Sequence, residues 1–170
     1  MKRTFFIIKT LLIVSIISGL TEAKSQVFLD VESGVAFSGY NDVRIPGDQG
    51  TLFSLSEELD ASPKIFLRVR AGYTFGTRHN LSLLYAPLEI KSEGSISRDL
   101  TFEGVVFPAS TPLEGTYKFN SYRLTYRYDI VERPKFEFGL GFTAKIRDAK
   151  IALYSAGDES VKTNVGFVPI

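Results

Sequence analysis

The 170-residue chain contains no cysteine and no tryptophan, one histidine and one methionine. The missing cysteine excludes a disulfide framework, a thiolate metal site, a cysteine nucleophile and a lipid-modified cysteine. Excess charge of either sign is missing too: 20 Lys and Arg stand against 19 Asp and Glu, a formal net charge of +1. No nucleic-acid partner is expected from that balance, because phosphate binding leaves a concentrated basic patch. Past the first two dozen residues, no run approaches the ~20 apolar residues of a spanning helix. Membrane residence would therefore have to be achieved with strands. What is plentiful is aromatic and small: 14 Phe, 8 Tyr and 14 Gly favour β structure over a helical bundle. An apolar fraction of 44% excludes disorder as the main state, and the length suits one domain.

Lys2 and Arg3 lead into "FFIIKTLLIVSIISGL", and "TEAKSQ" then supplies small residues at cleavage spacing, Thr21 and Ala23 or Ala23 and Ser25. This is the layout of a Sec-type signal peptide over residues 1–25, cleaved after Ala23 or Ser25. A retained anchor is disfavoured by Lys9 inside the run and by its modest length. Residues 26–170 are then an exported domain.

Along that domain, apolar groups recur every second residue, which no helix of 3.6 residues per turn can gather on one face. In "KFEFGLGFTAKIRDAK", Phe136, Phe138, Leu140, Phe142, Ala144 and Ile146 alternate with Glu137, Gly139, Gly141, Thr143, Lys145 and Arg147. In "KIFLRVRAGYTFG", Leu67, Val69, Tyr73 and Phe75 oppose Arg68, Arg70 and Gly72, and in "YKFNSYRLTYRYDI", Leu124, Tyr126, Tyr128 and Ile130 oppose Arg123, Arg127 and Asp129. "VFLDVESGVAFSGY" sets Leu29 and Val31 against Asp30 and Glu32, "LSLLYAPLEI" is a less regular strand weakened at Pro87, and "VKTNVGFVPI" begins a sixth. The stretches at residues 41–63, 91–116 and "YSAGDES" read as loops, whereas "GTRHN" and "VERP" read as tight turns, so connections alternate long and short.

Alternation alone does not say which face meets water. Three features favour an antiparallel up-and-down transmembrane β-barrel over a soluble secreted one that binds an apolar ligand. The apolar faces carry no charge in their central stretches. The opposite faces mix Arg68, Arg70, Arg123, Arg127, Lys145 and Arg147 with Asp30, Glu32 and Glu137 and intersperse glycines, as a narrow side-chain-filled lumen requires. The alternation of connections matches long external loops and short periplasmic turns. On this reading Leu67, Val69, Tyr73, Leu124, Tyr126, Phe136, Phe138, Leu140 and Phe142 face lipid. Tyr73, Phe75, Tyr126 and Tyr128 form an aromatic girdle on the periplasmic side.

"RHNLSLLYAPLEI", "GTYKFNSYRLTYRY", "GLGFTAKIRDAKIAL" and "VGFVPI" resemble a family of uncharacterised bacterial outer-membrane β-barrel proteins, over most of the chain after about residue 63. The resemblance implies a location and a fold, and no activity. Such proteins continue through further strands, so the chain looks like a C-terminally truncated member, with about six strands of eight or more.

Chemistry-bearing motifs are weak. His79 sits in a turn on the periplasmic side, away from the outer leaflet where an outer-membrane lipid-modifying enzyme would work, and reads as structural. "GLGFTAK" lacks the second Gly-Lys-Ser/Thr and the helix of a phosphate loop. Asp42, Asp48, Glu57, Glu58 and Asp60 lack calcium-loop spacing and read as a solvated loop. The lumenal arginines suit either an anion-selective constriction or pairing with Asp30, Glu32, Glu137 and carboxylates on further strands, the latter favoured in a small filled barrel. No catalytic residue, cofactor or metal is expected; the expected partner is outer-membrane lipid, in a structural, passive-transport or interaction role.

Overall fold

The structure is a computed structural model that describes residues 26–170. The leader read at residues 1–25 lies outside the described residues. The fold is all-β and antiparallel. Its strands are β1 (Val27–Ala36), β2 (Asp42–Val43), β3 (Phe53–Ser54), β4 (Asp60–Ala61), β5 (Lys64–Phe75), β6 (His79–Ala86), β7 (Glu89–Ser95), β8 (Leu100–Phe102), β9 (Val105–Phe107), β10 (Pro112–Arg133), β11 (Phe136–Ser155) and β12 (Asp158–Pro169).

The main sheet runs in the order β1-β5-β6-β10-β11-β12, with β7 continuing the path of β6 along β10 and β4 pairing with β7. Among the described residues, β1 and β12 are its two edges, so the sheet is open. The break between β6 and β7 falls at Pro87, which has no amide hydrogen for the ladder. The end carrying the short connections, residues 76–78 and 134–135, is termed lower, and the end carrying 37–63 and 87–111 upper.

Three features differ from the sequence reading. The connection expected as a loop at "YSAGDES" is a two-residue turn between β11 and β12, with both Ala156 (φ 44°) and Gly157 (φ 105°) in the left-handed region. Positive φ at both central residues is the type I′ signature, whose twist matches that of the flanking strands. Ala156 is a poor residue for that position, which hides the turn from sequence reading. Second, β10 carries a bulge between Asp129 and Val131, so the intervening Ile130 drops out of the alternation it was assigned to. Third, the two long connections fold.

Those connections build a cap on the upper end. Val43, Phe53, Leu55, Leu59, Ile96, Leu100, Phe102 and Phe107 bury against Leu113 of β10 and Leu153 of β11. Phe53 and Phe102 meet edge to face at 6.2 Å, a favoured geometry because a ring's positive edge meets the negative face. The two connections also share backbone bonds: Thr51 N donates to Thr101 O at 2.9 Å and Glu103 N to Ile45 O at 3.2 Å. Arg98 ties them from outside, donating to Glu58 Oε1 at 3.0 Å and to Leu52 O at 2.7 Å. Gly115 of β10 provides a seat, since a Cβ there would come within 2.6 Å of Leu55 Cδ2.

Leu59 is wholly buried in this cap, so Leu59→Ala is expected to cost about 2–5 kcal/mol, read as a lower urea midpoint by near-ultraviolet circular dichroism of the packed rings. The Arg98 hydrogen bond holds the Glu58 carboxyl below its ordinary value. A lowered folded-state pKa contributes stability above the unfolded value of ~4.3, lost as pH falls through the folded value. The same signal is therefore expected to weaken on acidification below about pH 4, and Glu58→Gln to flatten that dependence.

Candidate functional site

The surface that distinguishes this chain is the main sheet itself, whose faces are fixed by the ladder register. Val31 pairs with Val69, Val69 with Tyr85, Tyr85 with Tyr122 and Tyr122 with Ile146, which lines up one face across five strands. Leu67, Val69, Tyr73, Leu124, Tyr126, Phe136, Phe138, Leu140 and Phe142 all lie on this first face. It is uncovered: Leu67, Leu124, Phe138, Leu140 and Phe142 are exposed, Phe142 by 64%. A continuous exposed apolar surface on this scale marks an interaction with something apolar.

Aromatic rings bracket the band. At its lower end Phe75 stacks on His79 at 5.0 Å, Tyr128 lies 5.0 Å from the same imidazole, and His79 Nδ1 is 2.8 Å from the Tyr126 hydroxyl. The histidine is thus a member of an aromatic cluster, its ring nitrogen engaged with a phenol. Near the upper end Tyr85 and Tyr122 stack at 5.2 Å. Between them, Ala71 and Ala144 leave a shallow apolar groove of about 520 Å³.

Above Tyr122 the first face changes character. The next positions up β10 are Asn120, Lys118, Thr116 and Glu114, and their partners on β11 are Asp148, Lys150, Ala152 and Tyr154. Lys118 Nζ lies 2.8 Å from Asp148 Oδ2, and Asn120 Nδ2 donates to the same oxygen at 3.2 Å. The second face changes in the opposite sense. Below, it carries Arg127, Thr125, Arg123 and Ser121 against Gly141, Thr143, Lys145 and Arg147; above, it carries Phe119, Tyr117, Gly115 and Leu113 against Ala149, Ile151 and Leu153. No register shift separates the two halves, the only irregularity being the bulge near the bottom. The reversal is therefore one of composition. Sequence reading missed it, although Ala149, Ile151 and Leu153 alternate visibly in phase opposite to Phe142 and Ile146.

All nine charges singled out in the sequence lie on the lower second face. Glu32 pairs with Arg68, and Asp30 sits opposite Arg70. Arg127 binds Asp129 at 2.7 Å and also Glu137. Asn80 Nδ2 donates to Asp129 Oδ2 at 2.6 Å and Thr74 Oγ1 to Asn80 Oδ1 at 2.6 Å, extending this network across four neighbouring strands. Glycines give these groups room: Gly72 lies under the Phe28 ring, Gly34 under Phe66, and Gly139 under Asp129 and Arg127. Among the described residues, Arg123, Lys145 and Arg147 have no carboxylate partner. Among the described residues, no group of three or more His, Cys, Asp or Glu is arranged to hold a metal ion. The acidic loop residues are dispersed: Glu58 serves Arg98, Asp48 serves Arg44, and Asp42 and Asp60 lie on separate strands.

Arg127 is the hub of the lower network, and Asp129 is buried beneath it. Arg127→Met is expected to destabilise the fold by about 1–3 kcal/mol by stranding a carboxylate, measured as a lower urea midpoint; Arg127→Lys, which keeps the charge, loses less. Compared with known proteins, the chain matches no family model, no curated protein and no solved structure.

Proposed function

We propose that this chain forms wall of an outer-membrane β-barrel, with its lower first face against lipid, its lower second face lining the lumen, and its cap outside the cell. The role is structural, passive transport or interaction, without catalysis. The observation that carries the reading is the reversal of both faces at one level, Asn120–Asp148, without a register shift. A strand that leaves hydrocarbon for water must exchange its outer apolar residues for polar ones. Where its inner side passes from a polar lumen into a packed cap, the exchange runs the other way. A soluble ligand-binding barrel gives no reason for either change, since its inside stays apolar and its outside polar along the whole strand.

The dimensions agree. From Phe136 to Ile146 the apolar run covers ten residue steps, ~33 Å of strand at ~3.3 Å per residue. At the ~35–45° tilt usual in such barrels this is ~23–27 Å of height, against an apolar band of ~25 Å. Both ends carry aromatic clusters, as girdles at two interfaces would. The small groove at Ala71 and Ala144 suits an acyl chain packed on the wall. The absence of a membrane-crossing helix among the described residues has no bearing on a span made of strands.

The test is facing. With the chain expressed with its own leader and membranes separated, a cysteine in place of Leu140 is expected to react only with a bilayer-confined reagent. One in place of Lys145 is expected to react only with a water-soluble reagent. A soluble chain whose Leu140→Cys thiol is shielded from both reagents would put the apolar face inward and overturn the reading.

A further inference from the structure

Among the cations of the lower second face, Arg70 stands opposite Asp30 without an ion pair, and the others divide in two. Arg68 is matched by Glu32, and Arg127 by Asp129 and Glu137. Among the described residues, Arg123, Lys145 and Arg147 instead make only neutral contacts: Arg123 Nε donates to Ser121 Oγ at 3.1 Å, Lys145 Nζ lies 5.2 Å from the centre of the Phe119 ring, and an Arg147 terminal nitrogen donates to Asn164 Oδ1 at 2.8 Å. Arg147 Nε is buried with no hydrogen-bond partner, and an unmade bond at a buried charged donor is costly.

These three groups are neighbours. Arg123 and Lys145 are directly opposite across the β10–β11 ladder, and Ser121 is opposite Arg147. Like charges directly opposite destabilise a sheet. Their side chains make it worse rather than better. Arg123 leans toward the Ser121–Arg147 rung to reach the serine, and Lys145 leans the same way, toward Phe119. Three cations thus occupy two neighbouring rungs of the ladder, with Arg147 reaching on to Asn164 of β12, just below the apolar ceiling formed by Tyr117, Ile151 and the cap. Gly166, paired with Arg147, leaves space beside the guanidinium, whose terminal nitrogen lies 3.9 Å from where a Cβ would stand.

We propose that Arg123, Lys145 and Arg147 form a binding site for a small oxyanion, of the phosphate or carboxylate class, at the top of the polar face beneath the cap. Planar guanidinium forks match such anions bidentately, and the ammonium adds a point charge. The anion relieves the repulsion across the ladder. Its placement within a lumen rests on the barrel reading above; the site itself rests only on the sheet register and the side-chain contacts. In a lumen, such a group at the level where the channel meets the cap makes the passage selective for anions.

The experiment follows the arginine Nε–H signals of the folded full chain by nuclear magnetic resonance, in detergent micelles, at constant ionic strength. Inorganic phosphate, acetate and chloride are added in turn. The expected result is a saturable shift at Arg147 and Arg123 with phosphate or acetate, little with chloride, and none at Arg68 or Arg127. Lys145→Met and Arg147→Gln are each expected to weaken binding about tenfold, and Arg68→Gln, on the same face but already paired, to leave it unchanged. No saturable shift at tens of millimolar oxyanion, or equal shifts at all four arginines, overturns the site. Should the cysteine test return a soluble protein, the same titration runs in buffer, so failure of the membrane reading and failure of the anion site are separate results.

Discussion

Side chains of a paired strand cannot choose their face. The ladder sets it, and a shift of one residue would carry every side chain to the other side. In β10 and β11 the register holds from Tyr154 down to Asp129, yet the apolar set passes from one parity to the other near residues 120 and 148. Everything else in the structure is arranged around that level. Below it lies an exposed apolar face backed by ion pairs; above it lies a polar exterior over an apolar core.

The two halves are stabilised by different means. The cap has a conventional interior, in which Phe53, Leu59, Leu100, Phe102 and Leu153 are almost wholly buried and each transfers its apolar area out of water. The lower sheet has no such interior. Its cohesion within the chain comes from ladder hydrogen bonds, from ring-over-glycine pairs such as Phe28 on Gly72, and from the Arg127 network. Leu140 and Phe142 at 61% and 64% exposure contribute nothing by burial until something apolar covers them. The bilayer proposed as that cover accounts for the face, the rings at its borders and its height together.

Much of this was legible in the residues. Period-two alternation located the six long strands, because two-residue spacing is a direct imprint of the pleat, and it divided Arg68, Arg123 and Lys145 from Leu67, Leu124 and Phe142. The cap was not legible. Its strands are two or three residues long apart from β7, its acids and turn residues read as solvated loop, and Leu55, Leu59 and Phe102 show no period because they converge from separate connections. The tight Ala156–Gly157 turn escaped because alanine is not the residue such a turn prefers. The unpaired trio escaped because matching Arg147 to a carboxylate is a question of which side chains reach it.

The sequence by itself determined the strands, their two faces and the identity of the groups on each, since these follow from local alternation under a fixed backbone geometry. Tertiary structure alone decided three things: that distant connections fold into one core, that the faces exchange roles at a single level, and that three neighbouring cations find no carboxylate among the described residues. Each depends on which segments meet and in what register, and register is a property of pairs that no single stretch of sequence carries.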